Sequence, residues 1–143
     1  MTKRLLVIII AYVDYKENNT FKFEENSKCF VFLTDNELGF NHEGGLDYQQ
    51  YLDFCRGADL LIHDAEYKED EYKKTRGWGH STYNAALKLA MDAGVKKFGL
   101  FHHNQERLDD EIDAMVDDCK KIISAQGASL KCFAVAQSMQ IAL

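Results

Sequence analysis

Residues 57–65 read Gly-Ala-Asp-Leu-Leu-Ile-His-Asp-Ala, in which a short apolar run is followed by a histidine and an aspartate. The run Leu60–Ile62 comes shortly after a glycine, which predicts a short buried strand. Apolar residues at helical spacing predict one helix before it, over Leu46–Phe54, and another after it, from residue 81 or 82 to about 93. A strand between two helices is typical of layered α/β proteins.

The alternation of helices and strands continues to residue 143. A strand is predicted over Lys97–Phe101, and a helix over Leu108–Ile123, where apolar residues recur at three- and four-residue steps and acidic residues fill the first turns. Two further strands are predicted, over Leu130–Ala134 and Met139–Leu143. The polar stretch Asp64–Gly79 lacks a clean period, so we expect a long loop or a partly helical excursion there.

The first forty residues are predicted to form β-structure. Thr20–Glu24 and Lys28–Leu33 have the pattern of a hairpin, and Leu5–Val13 that of a strand before it. Lys3 and Arg4 ahead of this apolar run are also typical of a short signal peptide. Charged residues follow the run where a small-residue cleavage site belongs, so a buried strand is preferred. The expected architecture is an α/β layered fold, with an N-terminal hairpin followed by alternating helices and strands.

Composition narrows the range of partners. The 143 residues are predicted to form a single domain, 1–143. Because the net charge is −6, no broad basic face is expected, and we expect no duplex nucleic acid as a partner. No stretch reaches the roughly 20 apolar residues of a membrane span, so no membrane partner is expected. The four cysteines have neither CxxC spacing nor disulfide-scaffold density, which predicts reduced thiols and a cytoplasmic protein.

Ionisable side chains follow the ends of three predicted strands. They are Asp35, His63, Asp64, His102 and His103. Because sites in open α/β sheets gather outside the carboxyl ends of the strands, these side chains are candidates for one site. His80, with Trp78 and Ser81 beside it, stands at the start of the following helix. Each residue alone also fits a structural role, such as turn formation or helix entry, and their joint arrangement favours a functional site.

Four ordered segments carry the candidate residues: Leu33–Leu38 (LTDNEL), Gly57–Ala65 (GADLLIHDA), Gly77–Thr82 (GWGHST) and Leu100–His103 (LFHH). Together they resemble the C-terminal half of metallo-β-lactamase-fold hydrolases, in the branch of ribonuclease Z and related phosphodiesterases. The resemblance covers about residues 20–143 and implies half of a four-layer αββα sandwich, that is, a truncated single domain. One half alone exposes a sheet face, so a homodimer or a complementing chain is expected.

The resemblance also implies a metal site. In that family two metal ions, usually zinc, activate a hydroxide that attacks a phosphodiester or ester. Asp35 matches the aspartate between the two metals, and His102, or His103 beside it, matches the last ligand histidine. The family's His-x-His-x-Asp-His motif does not occur in the sequence, and no histidine stands near Asp14 and Tyr15, where a further ligand is expected. Zinc is the expected cofactor, with manganese and iron also compatible.

Asp64 and His80 match a carboxylate–histidine pair that delivers a proton to the leaving group in the ribonuclease Z branch. Trp78 and Ser81 are the expected contacts to a small phosphorylated or anionic ligand. The sequence therefore predicts a metal-dependent, phosphodiesterase-like hydrolase whose incomplete metal site needs a second chain. The alternative is a catalytically inactive member that serves as a small-anion-binding or dimeric regulatory module.

Overall fold

The computed structural model describes residues 9–10 and 19–143. These residues form six strands and four helices. In chain order they are β1 (Ile9–Ile10), β2 (Asn19–Glu25), β3 (Lys28–Thr34), α1 (Tyr48–Cys55), β4 (Leu60–Asp64), α2 (Glu69–Thr75), α3 (Tyr83–Asp92), β5 (Lys97–Phe101), α4 (Asp109–Ala125) and β6 (Lys131–Ala134). The strands lie side by side in chain order in one sheet. The predicted α/β fold class is confirmed.

The N-terminal part of the sheet is an antiparallel hairpin. β2 and β3 are joined by a tight turn in which Asn26 and Ser27 have φ values of 49° and 61°. Two residues of positive φ suit the twist of a two-residue hairpin turn. β1 pairs with β2, also antiparallel. The remainder of the predicted strand Leu5–Val13, the signal-peptide segment and the ligand position near residues 14 and 15 lie outside the described residues.

The rest of the sheet is parallel, and its strand ends position the candidate site. β3, β4, β5 and β6 run in the same direction, with a helix in each crossover. In register, Leu33 of β3 pairs with His63 of β4, which pairs with Leu100 of β5. Residues that follow these positions therefore emerge at one edge of the sheet.

The main core lies between the sheet and three helices, α1, α3 and α4. Val31, Leu61 and Phe98 from the strands pack with Leu89 of α3 and Met115 of α4, and all five are buried. Side chains alternate along a strand, so the neighbouring phenylalanines point to the opposite face. That face carries a row of half-buried rings: Phe21, Phe23, Phe30, Phe32, Phe101 and Phe133.

The region 64–79, for which a loop or a partly helical excursion was expected, is partly helical, and one predicted strand is not formed. The region 64–79 contains the short helix α2, which has no buried residue. Its first turn is acidic and its last turn holds Lys73 and Lys74, so charge matched to the helix dipole supports it without an apolar face. The predicted strand Met139–Leu143 is wrong. Ser138 has a φ of 63°, which turns the chain away from the extended conformation after β6.

The remaining predicted elements are present with small shifts in their ends. α1 begins at Tyr48 because Asp47 caps it, accepting a hydrogen bond from the Gln50 amide at 2.9 Å. α3 begins after Thr82, whose hydroxyl accepts from the Ala85 amide at 3.1 Å. None of the helices in the described ranges has the length and apolar character needed to cross a membrane.

Candidate functional site

The residues after β3 and β5 both have left-handed backbone conformations. Asp35 has a φ of 47° and His102 a φ of 55°. Positive φ is uncommon for residues other than glycine and is often retained at functional sites. The two side chains meet at the sheet edge, where His102 Nδ1 lies 3.5 Å from Asp35 Oδ1. The Thr34 hydroxyl donates a hydrogen bond to the other oxygen of Asp35 at 2.9 Å.

A second imidazole–carboxylate pair lies beside the first. His80 Nδ1 is 2.6 Å from Asp64 Oδ2, and the Asp64 side chain is fully buried. Asp64 Oδ1 accepts hydrogen bonds from the backbone amides of Ser81, at 3.1 Å, and Glu66, at 3.3 Å. The hydrogen bond with Asp64 raises the pKa of His80, against the opposing effect of burial. This favours a charged His80 with Nδ1 occupied, which leaves Nε2 as the ring nitrogen for further contacts.

Three side chains come close enough to share a metal ion. One donor atom each of Asp35, His80 and His102 lies within 4.8 Å of the others. The rings of His80 and His102 have centroids 4.4 Å apart. Catalytic zinc sites use three protein ligands at about 2.0–2.2 Å from the metal, so their donor atoms lie up to about 4 Å apart. The carboxylate and two imidazoles therefore fit one ion after a small adjustment.

Glu66 is a further acidic residue of this cluster and was not among the residues predicted from the sequence. Its Oε2 lies 3.5 Å from His80 Nδ1 and 3.6 Å from His102 Nε2. Its Oε1 accepts a hydrogen bond from Asn104 at 3.2 Å, and Arg107 donates to its backbone oxygen at 2.8 Å. Its position two residues after Asp64 could have indicated this, because side chains two residues apart point to the same side of an extended chain.

Of the two remaining predicted histidines, His63 is not part of this cluster, and His103 lines the same cleft as His80 and His102 but is not among the three grouped donors. His63 is fully buried, and its Nδ1 lies 2.7 Å from the backbone oxygen of Asp64; burial lowers its pKa. Burial also lowers the pKa of His103. The structure brings His102, not His103, next to Asp35.

Trp78 and Ser81 have very different surroundings. Trp78 is 69% exposed and borders a cleft of about 380 Å³ that His80 and His102 also line. Ser81 is only 1% exposed, and its hydroxyl donates to the Asn36 backbone oxygen at 2.7 Å. Ser81 was expected to contact a ligand, and its burial makes this expectation wrong. Its hydroxyl is already hydrogen bonded within the protein, where it holds the chain after Asp35 in place.

No known family model matches the chain. Ribonuclease Z of Brevibacillus brevis is 36% identical over 70 residues, which are 49% of this chain and 22% of that protein. Ribonuclease Z of Oceanobacillus iheyensis is 28% identical over 98 residues, 68% of this chain and 29% of that protein. The chain thus matches less than a third of the length of these relatives.

Solved structures show which fold the chain is similar to. The metallo-β-lactamase fold protein YhfI from Bacillus subtilis superposes with a TM-score of 0.64 and 18% identity, over 84% of this chain and 42% of that one. Human tRNase Z, short form, superposes with a TM-score of 0.56 and 22% identity, over 86% and 37%. The chain therefore has part of the metallo-β-lactamase fold, and the resemblance drawn from its four segments is confirmed.

These relatives overturn one expectation. The acidic composition predicted no duplex nucleic acid as a partner, whereas the relatives are named ribonuclease Z and tRNase Z, and transfer RNA is a nucleic acid. The exclusion is wrong because net charge averages over the whole surface. Locally, Lys73, Lys74 and Arg76 are exposed and stand shortly before Trp78 in the sequence.

Proposed function

We propose that this chain provides a metal-dependent hydrolase site for phosphodiesters, in which Asp35 and His102 bind the metal. The observation that carries the proposal is the convergence of three side chains: Asp35 and His102, which follow two parallel strands, and His80, which lies shortly before α3. Zinc is the proposed ion, because carboxylate and imidazole are ligands it favours; manganese and iron take the same donors. A bound metal would lower the pKa of a water and stabilise negative charge on phosphoryl oxygens.

His80 and Asp64 are proposed to deliver the proton that the leaving oxygen needs. The buried Asp64 fixes the imidazole through Nδ1 and favours its charged form, for which the 2.6 Å contact is the support. A positioned imidazolium can protonate the leaving alkoxide, so that the product leaves as a neutral alcohol and not as an unstable anion. Trp78, exposed at the rim of the cleft, is proposed to contact the substrate.

A second chain is proposed to complete the metal site. If His80 acts as the proton donor, Asp35 and His102 supply two ligands, fewer than the three that a catalytic zinc uses. The chain matches less than a third of the length of each of these relatives, which supports a metal site that residues of a second chain complete. The free thiols of Cys29, Cys55 and the other two cysteines fit the proposed cytoplasmic location.

The proposed substrate is a phosphodiester within a nucleic acid. Relatives are named as ribonucleases, and the exposed Trp78 offers a ring on which a base can stack. Lys73, Lys74 and Arg76 lie just before it in the sequence and are exposed. Cations next to an aromatic side chain are the usual means of holding a single strand without sequence specificity.

Hydrolysis of bis(p-nitrophenyl) phosphate by the full chain tests the proposal. We expect activity with added Zn²⁺ or Mn²⁺ that chelator removes and that Asp35→Ala abolishes. Asp113→Ala is the matched control, because this aspartate is exposed on α4, away from the cleft. Activity that persists in Asp35→Ala would contradict the hydrolase proposal. So would a metal-loaded wild type that is inactive both alone and with a complementing chain.

The alternative is a catalytically inactive anion-binding module. The small number of metal donors that gather in the described part of the chain favours it. In that case the metal-free protein should bind inorganic phosphate in calorimetry, and His80→Ala should weaken the binding. The hydrolase proposal expects phosphate binding to depend on the metal.

A further inference from the structure

A buried carboxylate, Glu37, lies behind the candidate site. Its side chain has 0% exposure and accepts hydrogen bonds from two different segments. Oε1 accepts from the Tyr72 hydroxyl at 2.6 Å and the Gly77 amide at 2.7 Å. Oε2 accepts from the Gly79 amide at 2.8 Å and lies 2.8 Å from His42 Nε2. Every lone-pair direction of this carboxylate is therefore matched by a donor.

The two amides bracket Trp78, and Gly79 directly precedes His80. Gly77 and Gly79 have φ values of 87° and 96°, a conformation that side chains other than glycine rarely adopt. With two glycines, this turn has few side-chain contacts of its own to fix its shape. The Trp78 amide donates to the Thr75 backbone oxygen at 3.0 Å, and the amides on either side of it both donate to Glu37.

The surroundings of Glu37 indicate that this arrangement is specific. Burial of a carboxylate is costly unless hydrogen bonds compensate for the lost water, and the four donors do so here. Gly39 leaves room for the Tyr72 ring, since a Cβ at that position would overlap the Tyr72 hydroxyl. The Ser81 hydroxyl, hydrogen bonded to the Asn36 backbone, fixes the far end of the same segment.

We propose that Glu37 is a positioning residue whose carboxylate holds the Gly77–Gly79 turn, and thereby keeps Trp78 and His80 in place over Asp35 and His102. Its effect on hydrolysis rests on the proposed function, whereas its effect on the turn does not. Glu37 itself lies beneath the surface and does not contact a substrate.

The test compares Glu37→Gln with Glu43→Gln in the full chain. Glutamine keeps the shape of Glu37 but replaces one acceptor oxygen by an NH₂ group, which faces an amide donor. Glu43 is exposed in the same loop and serves as the control. Trp78 is the single tryptophan, so fluorescence anisotropy reports on the turn directly.

For Glu37→Gln we expect lower Trp78 anisotropy and about tenfold faster hydrogen exchange at Gly77 and Gly79, because the opening of a local hydrogen bond sets that rate. Zinc binding should be retained, and kcat for a single-stranded oligoribonucleotide, whose alkoxide leaving group needs the proton from His80, should fall by about tenfold to a hundredfold, since small displacements of catalytic groups have costs of this size. Glu43→Gln should change none of these. If Glu37→Gln does not fold, Tyr72→Phe serves as the second variant. It removes only one donor to Glu37, so it should give a smaller change in the same direction.

Two results would overturn the proposal. One is unchanged anisotropy and exchange in both Glu37→Gln and Tyr72→Phe. The other is a loosened turn with kcat unchanged in an active enzyme, which would reduce Glu37 to a structural residue. If the wild type hydrolyses nothing in any metal, the proposed function fails, while the exchange rates of Gly77 and Gly79 still decide whether Glu37 holds the turn.

Discussion

His80 Nδ1 lies 2.6 Å from Asp64 Oδ2, and the second oxygen of Asp64 accepts the backbone amide of the next residue, Ser81. The carboxylate is fully buried and hydrogen bonded through both of its oxygens. The imidazole is thus oriented through one nitrogen, and its other nitrogen is kept for chemistry. This pair is the most tightly defined part of the candidate site.

Asp64→Asn is expected to lower kcat by about a hundredfold, the lower end of what a general acid contributes. The neutral amide removes the charge that raises the pKa of His80, so less of the imidazolium is present near neutral pH. Zinc affinity should change little. Steady-state kinetics on a single-stranded oligoribonucleotide, whose alkoxide leaving group needs a proton, measures kcat, zinc titration measures the affinity, and Asp113→Asn is the control. An unchanged kcat would exclude the proton-delivery role.

Much of this site could be predicted from the sequence, because it depends on where strands end. Asp35, Asp64 and His102 each follow a short apolar run, and parallel strands bring such positions to one edge. Glu66 was missed although its position two residues after Asp64 was a usable signal. Glu37 was missed because its contacts with Tyr72 and Gly79 cross 35 and 42 residues of chain. Local sequence patterns carry no information about such contacts.

The same distinction holds for the fold. α3 and α4 were predicted because an apolar stripe has to face the sheet. α2 was left open as a loop or partial helix, since it has no buried side chain and is supported by charge at its ends. Met139–Leu143 has the apolar content of a strand, but a residue of positive φ, Ser138, turns the chain before it.

The two adjacent histidines after β5 are expected to differ in metal binding. His102→Asn should weaken zinc binding at least tenfold, because this chain supplies only two proposed ligands and the loss of either strongly lowers the affinity for the metal. His103→Asn should leave it unchanged, because His103 is not within reach of Asp35 and His80. Calorimetric zinc titration of both variants decides this. The reverse order of effects would reassign the ligand to His103.

Trp78→Ala is expected to weaken binding of a short single-stranded oligoribonucleotide by about fivefold to a hundredfold, since base stacking on an aromatic ring contributes about 1–3 kcal/mol. Trp78→Phe keeps a ring and should retain most of the affinity. Lys73→Ala should reduce the salt dependence of binding. Fluorescence polarisation of a labelled oligomer measures all three. Equal affinity in wild type and Trp78→Ala would remove this side chain from the substrate surface.

His63 is expected to make the fold sensitive to acid. Burial holds its folded-state pKa below the ordinary value, so the unfolded chain takes up the proton first. Stability is therefore complete above the ordinary histidine pKa and falls as the pH drops below it, by up to about 1.4 kcal/mol per pH unit for one proton.

His63→Asn retains a donor toward the Asp64 backbone oxygen but has no titrating ring. Urea denaturation at pH 7 and pH 5 should show a smaller loss of unfolding free energy in this variant than in the wild type. The contribution of His103 is common to both proteins and cancels in the comparison. An identical loss in the two proteins would mean that His63 does not carry the acid sensitivity.

The convergence of Asp35, His80 and His102 is tested most directly by a crystal structure of the zinc-soaked protein, with anomalous scattering recorded at the zinc edge. We predict an anomalous peak about 2.0–2.2 Å from an Asp35 carboxylate oxygen and a His102 ring nitrogen. His80 Nδ1 should remain bonded to Asp64 in that structure. A zinc ion bound elsewhere, or no peak at this sheet edge, would contradict the proposed metal site.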